Sequence, residues 1–235
     1  MAEQARRGRP PLSERHRAAV RLEIAHEAVR LFAQRGVAAT SGEDIARAAG
    51  VSPRTLWRYF ATKESCVRPL LATGAESVAH ALARLPPEWS LAEAFQALGA
   101  QDVALPEAAA VIEVVRLTRT EPGIRAVWLQ THLDAEPVLA GAMAPRLGEA
   151  PDALRPRVLA AMVNVALRVA VESHAWAVPE PGRSIGGELR GALRIAAAAL
   201  PGAVGELPPA RRLSLWSAHQ APLEAVGLTV RQHTG

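Results

Sequence analysis

Thr40-Ser41-Gly42-Glu43-Asp44-Ile45-Ala46-Arg47-Ala48-Ala49-Gly50-Val51-Ser52-Pro53-Arg54-Thr55-Leu56-Trp57-Arg58-Tyr59-Phe60 encodes two short helices around a glycine turn. Ser41 followed by Asp44 forms a capping box with Asp in place of the usual Glu, which predicts a helix start at residue 41. Ile45, Ala48 and Ala49 give that helix one small apolar face. Gly50 permits the left-handed backbone that ends a helix abruptly. Ser52 caps the next helix, and Pro53 stands at its first position, where a missing N–H costs nothing. Helix, tight turn, helix is the helix-turn-helix layout, in which the N-terminal part of the second helix meets base edges.

Upstream, the spacing of Val20, Ile24, Ala28, Val29, Leu31 and Phe32 predicts a supporting helix from Ser13 to Gly36. Ile45, Val51, Leu56 and Phe60 then close a three-helix core too small to be very stable alone. It should lean on the next helix, which opens with Thr62 as a cap before Lys63-Glu64 and runs through Cys66 to Leu85, ahead of Pro86-Pro87. Charge follows the same division. Residues 1–68 hold 13 Lys+Arg and 7 Asp+Glu, or +6, whereas residues 69–235 hold 14 and 16, or −2, consistent with the total of +4. A basic first quarter on a nearly neutral remainder is the electrostatic footprint of a nucleic-acid-binding module attached to a different kind of domain.

The run Asp44-Ile45-Ala46, Ala49-Gly50-Val51-Ser52, Thr55-Leu56-Trp57, Tyr59-Phe60 and Lys63-Glu64 resembles the DNA-binding signature of TetR-family transcriptional regulators, over about Arg30 to Val67. Two positions depart from the family pattern. Gly42 stands where the family usually has a branched apolar residue, which is expected to loosen the helix start. Trp57 stands where it usually has Tyr.

DNA contact requires cations and donors on one surface. Arg54 and Arg58 lie one turn apart on the second helix, so both guanidinium groups share a face and either can make a two-pronged contact with guanine. Thr55, Trp57 and Tyr59 add side-chain donors, with burial as wedges the alternative for the two aromatics. The helix starts at Ser52, Pro53 and Arg54 and at Lys63-Glu64 suit phosphate. The resemblance implies that Thr40, Ser41, Trp57, Tyr59 and Lys63 anchor phosphates, and that Arg54, Thr55 and Arg58 face bases. Leu56 and Phe60 read as core, and Arg47 as solvated.

The remaining chain reads as helical throughout, which makes the fold class all-α. Expected domains are a disordered basic arm (1–12), the helix-turn-helix head (13–63), a helical ligand-binding and dimerisation bundle (64–200) and a weakly structured tail (201–235). Arg6-Arg7-Gly8-Arg9-Pro10-Pro11 in the arm resembles AT-hook segments; a solvated basic tail is the alternative. Ser90 with Glu93 starts a short helix to about Gly99, Pro106-Glu107 a further one to about Thr120, and Ile124 one to Gly148 with a break around Glu136-Pro137. Helices Asp152–Trp176 and Ser184–Leu200 are rich in small apolar residues, as in a bundle. The resemblance implies that this pair dimerises, and Leu159, Met162, Val163, Ala166, Leu189, Leu193, Ala196 and Leu200 are its expected interface residues. Asn164, Arg168 and Glu172 recur every four residues. That stripe is expected to face solvent, the alternative being an Arg168–Glu172 pair lining a cavity.

Arg116, Arg119, Trp128, His132, Met143, Arg168, His174 and Trp176 combine apolar surface with polar handles and are the candidate ligand contacts. The stretch Leu117–Arg146 resembles a TetR subgroup whose core domain binds acyl-CoA-like ligands, which implies an anionic group at Arg116 or Arg119. No metal-binding histidine spacing, nucleophile elbow or phosphate-binding glycine loop occurs, so neither catalysis nor a metal or other cofactor is expected. No run of 18 uncharged apolar residues marks a membrane span, and the single Cys66 suits a reducing cytoplasm. Expected partners are a palindromic DNA operator, a second copy of the chain and a small-molecule effector, which together make a ligand-responsive repressor. A ligand-independent architectural DNA-binding protein or an activator is the alternative.

Overall fold

The computed structural model describes residues 14–100, 105, 107–178 and 181–200. The expected arm and tail, like Pro106, lie outside the described residues. Among the described residues there are only helices, in agreement with the all-α expectation. The head comprises α1 (Glu14–Arg35), α2 (Gly42–Ala48) and α3 (Pro53–Tyr59). A short 3-10 turn (Glu64–Val67) leads into α4 (Arg68–Arg84), followed by α5 (Leu91–Gly99), α6 (Ala108–Leu117), α7 (Pro122–Leu147), α8 (Leu154–Trp176) and α9 (Ile185–Ala199).

The head is built on α1, whose Ile24, Ala28, Leu31 and Phe32 are buried together with Ile45 of α2 and Leu56 of α3. It does lean on the core domain, because α1 also packs against the 3-10 turn and α4. The single helix expected after Thr62 is divided in two. Pro69 in the first turn of α4 has no N–H to continue an earlier ladder, so the chain closes Glu64–Val67 as a tighter turn before the α-helix begins. In the core domain α4 packs on α7, α5 on α9, and α8 on α6, α7 and α9.

The break expected at Glu136-Pro137 is absent, and α7 runs unbroken through Pro137 and Pro145. Both prolines are exposed. The carbonyl that Pro137 leaves without a helical partner belongs to Leu133, itself 57% exposed, so water can satisfy it.

Six of the eight expected dimer residues already have packing partners within the chain. Leu159, Val163, Leu189, Leu193, Ala196 and Leu200 are buried inside the single chain, because α8 and α9 use these faces on each other and on their neighbours. Only Met162 is exposed, and Ala166 is half-buried. Among the described residues, the exposed apolar side chains on α8 include Leu154, Val158, Met162, Val165 and Val169, with Ile195 exposed on α9. By length and composition α8 is apolar enough to cross a membrane. It nevertheless carries Arg168 paired with Glu172 and packs on three other helices, which are properties of a core helix.

Candidate nucleic-acid interface and core polar cluster

A seven-residue helix such as α3 has little stability of its own, so its caps and supports decide its geometry. At the start of α2, Asp44 N donates to Ser41 Oγ (3.1 Å), while Ser41 N (3.1 Å) and Ser41 Oγ (2.7 Å) donate to Asp44 Oδ2. The Ser41 hydroxyl bond, first among the causes, holds the Asp44 carboxyl below its ordinary pKa. Gly50, at φ 63°, turns the chain, and Val51 N donates back to Ala46 O at 2.9 Å. Ser52 Oγ then accepts from Thr55 N at 3.1 Å, with Pro53 in the first turn of α3.

Arg54 and Arg58 are exposed on α3, Leu56 is fully buried beneath them, and Phe60 is buried at the C-cap. The Arg58 guanidinium lies 4.9 Å from the Tyr59 ring centroid, a cation–π arrangement that holds the cation at the surface. Thr55 Oγ1 lies 2.9 Å from Ser52 Oγ, so both hydroxyls serve the cap. Arg47 is exposed and paired with Asp44 at 3.0 Å.

Two of the expected phosphate anchors do different work. Thr40 is buried, and its hydroxyl donates to Gly36 O at 2.9 Å, so its side chain is withdrawn from the DNA surface. Lys63 Nζ donates to Val37 O (2.6 Å) and Thr40 O (2.9 Å). The ammonium thus ties the loop between α1 and α2 to the segment after α3. No local pattern predicted that clamp, which spans 23 and 26 residues.

The two departures from the family pattern turn out to be one feature. A Cβ on Gly42 would sit 2.2 Å from Trp57 Cζ2 and 2.5 Å from Cη2. The indole therefore occupies the space that a branched side chain at 42 would fill. The expected loosening at Gly42 does not occur, since the capping box is complete. Trp57 is not a buried wedge either: it is 46% exposed, lying across the start of α2.

In the core domain, the stripe expected to face solvent faces inward. Asn164 and Glu172 are buried on α8. Glu172 Oε1 accepts from Trp128 Nε1 at 2.8 Å, and Arg168 Nη1 donates to both Glu172 oxygens at 2.8 and 2.9 Å. His132 Nδ1 is 2.7 Å from Asn164 Oδ1, and Asn164 Nδ2 donates to His132 O at 2.8 Å. The His132 ring packs edge-on against Trp128 with centroids 4.1 Å apart. Burial lowers the His132 pKa below its ordinary 6.5. This α7–α8 cluster brings together Trp128, His132 and Arg168 of the candidate ligand residues, and adds Asn164 and Glu172.

The other candidates lie elsewhere. Arg116 Nε donates to Ala175 O (3.2 Å) and Trp176 Nε1 to Val115 O (3.0 Å), cross-linking α6 to the end of α8. Met143 is fully buried on α7, roughly 16 Å along the axis from His132. Arg119 is exposed beyond α6, and His174 is half-buried on α8.

A capped helix bearing exposed arginines on a small helix-turn-helix head, joined to a larger set of helices with a buried polar cluster, has the layout of a DNA-binding regulator. Residues 24–70 match the model of bacterial regulatory proteins of the tetR family, and residues 85–201 that of the MftR C-terminal domain. The chain is 32% identical over 169 residues to the HTH-type transcriptional regulator TcmR of Streptomyces glaucescens, covering 68% of this chain and 75% of that protein. It is 45% identical over 51 residues to the putative mycofactocin biosynthesis transcriptional regulator MftR of Mycobacterium tuberculosis, covering 22% and 26%. Among solved structures it aligns with Thermus thermophilus FadR, a TetR-family transcriptional repressor in complex with lauroyl-CoA, at 22% identity and a TM-score of 0.47, covering 80% of this chain and 97% of that one.

The chain belongs to the TetR family of transcriptional regulators. It is a DNA-binding regulator in a family whose members are ligand-responsive and usually function as dimers.

The shared space of Gly42 and Trp57 sets an expected outcome. Gly42→Val should destabilise the head by about 1–3 kcal/mol through overpacking, and Trp57→Tyr in the same chain should recover much of that loss. Denaturation of both single variants and the double variant checks this; simple additivity would contradict the shared-space account.

Proposed function

We propose that this chain is a homodimeric repressor that works by binding alone, reads a palindromic operator through α3 and is released by a small hydrophobic effector in its core domain. The observation that carries the reading is the exposed pair Arg54 and Arg58 on a helix capped at Ser52 and anchored by buried Leu56. Those two side chains are the proposed base contacts, with Thr55 beside them. Ser41, Trp57, Tyr59 and Lys63 sit where they can engage the phosphates on either side. Such a protein acts in the cytoplasm, where the chromosome is.

The dimer reading rests on the outward line Val158, Met162, Val165 and Val169 with Ile195, an apolar surface that a monomer would leave in water. A two-fold pairing there presents two copies of α3 to one face of a duplex, one helical turn apart. For release, α7 reaches the head through the 3-10 turn, which packs on both α7 and α1. It carries Trp128 and His132, and near its start Gly123 lies so close to the 3-10 turn that a Cβ there would come 2.9 Å from Glu64 Cγ. Arg68 at the start of α4 pairs with Asp134 of α7. An effector that shifts α7 therefore acts on the turn next to Lys63, and coupling of this kind typically amounts to about 1–3 kcal/mol. We take an acyl-CoA-like molecule as the first effector to test, with its chain among the alanine, valine and leucine side chains and its anionic end at exposed Arg116 and Arg119.

Arg58→Ala should weaken operator binding by about 1–3 kcal/mol and binding to random duplex by less, in titrations at fixed salt; equal losses would reassign Arg58 to the phosphate backbone. Val165→Asp should shift the protein toward monomer in sedimentation and weaken binding to the palindrome, while an unchanged dimer would move the interface elsewhere. Fatty acyl-CoAs should raise the melting temperature in a chain-length-dependent way; no stabilisation at any length would remove that ligand class.

A further inference from the structure

The α7–α8 cluster holds one polar atom that its own network does not satisfy. His132 Nε2 is closed off from solvent and has no hydrogen-bond partner among the described residues. Its chemical state is dictated by its neighbours. A backbone carbonyl can only accept, so the Asn164 atom 2.8 Å from His132 O must be the amide nitrogen. The Asn164 atom facing His132 Nδ1 at 2.7 Å is therefore the carbonyl oxygen, and Nδ1 must donate to it. Asn164 thus fixes the tautomer with the proton on Nδ1, which leaves a bare lone pair on Nε2.

The charges beside it are already engaged with each other. Glu172 accepts from Arg168 and from Trp128, so the cluster is neutral around an unsatisfied acceptor. Burial acts in the same direction by disfavouring a charged His132 ring. A carboxylate or phosphate brings only acceptors and would face that lone pair unfavourably. A hydrocarbon would leave it unpaired. An uncharged O–H or N–H group would complete the network, with the Trp128 ring supplying apolar surface beside it.

We infer that His132 Nε2 is an effector-reading acceptor, and that the group reaching the α7–α8 seam is a neutral hydrogen-bond donor on an apolar frame. This rests on the proposal that the core domain takes an effector and specifies what part of that effector the seam reads. Any acidic portion lies away from His132.

The test uses the full-length protein and three probes of similar size: 1-octanol, its isomer heptyl methyl ether, and octanoate. Calorimetric titration should show octanol binding about tenfold more tightly than the ether, with octanoate weakest. His132→Phe should abolish the preference for octanol over the ether, and His132→Gln, which can also accept, should retain part of it. In the wild-type protein, nitrogen NMR of the His132 ring should show protonated Nδ1 and bare Nε2, with the Nε2 resonance moving as octanol is added. Equal affinity for the alcohol and the ether, or a proton on Nε2 in the free protein, would overturn the inference and leave the effector proposal standing. Failure of all three probes to bind, with the NMR as expected, would count against an apolar effector site in the core domain and would remove the inference with it.

Discussion

The smallest helix sets the strictest requirement on this molecule. α3 has seven residues, too few to hold a conformation in water, yet it carries the exposed Arg54 and Arg58 proposed as the base contacts. Its rigidity comes from outside itself. Leu56 is fully buried where α3 packs on α2, Ser52 closes its first turn, and the Trp57 indole lies across the start of α2 in the space that Gly42 leaves open. Lys63 completes the frame by binding two carbonyls of the loop between α1 and α2. The residues that hold α3 are thus largely distinct from those that project from it.

The core domain meets the opposite difficulty, polar groups placed inside an apolar bundle. Burying Glu172 is tolerable because its carboxylate receives both an indole N–H and a guanidinium. An uncompensated charge there would cost several kcal/mol. Asn164 is held by two bonds to His132 in the same manner. These contacts join α7 to α8 with directional bonds where apolar packing alone would allow the helices to slide. Because α7 also abuts the 3-10 turn on which α1 packs, and pairs with Arg68 of α4, the seam is linked to the head through that turn.

Much of the head was legible in the sequence because its signals are local. The Ser41–Asp44 box, the Gly50 turn and the Ser52-Pro53 start each obey rules that act within a few residues, and each is formed as expected. The Ser90–Glu93 box and the glycine at Gly148 behaved likewise. What could not be read was orientation. Helical spacing places Asn164, Arg168 and Glu172 on one line but does not say which way that line points. α8 is apolar nearly all round, so the expected dimer residues fell largely on its inner face while Val158, Val165 and Val169 lay outward. Pro137 read as a break because its solvent-facing position was not visible from local sequence. The Lys63 clamp joins residues too far apart for any local rule. The Gly42–Trp57 exchange did leave a signal, two opposite departures in volume from one family pattern, but their contact appears only in three dimensions.

In the proposed dimer, two copies of α3, held by this frame and paired through the outer faces of α8 and α9, read one duplex symmetrically. Selection of bound sites from randomised duplexes by the purified full-length protein tests this symmetric reading most directly. The expected product is an inverted repeat whose half-sites are centred about one helical turn apart. Recovery of a single asymmetric site, or no enrichment at moderate ionic strength, would contradict the symmetric reading.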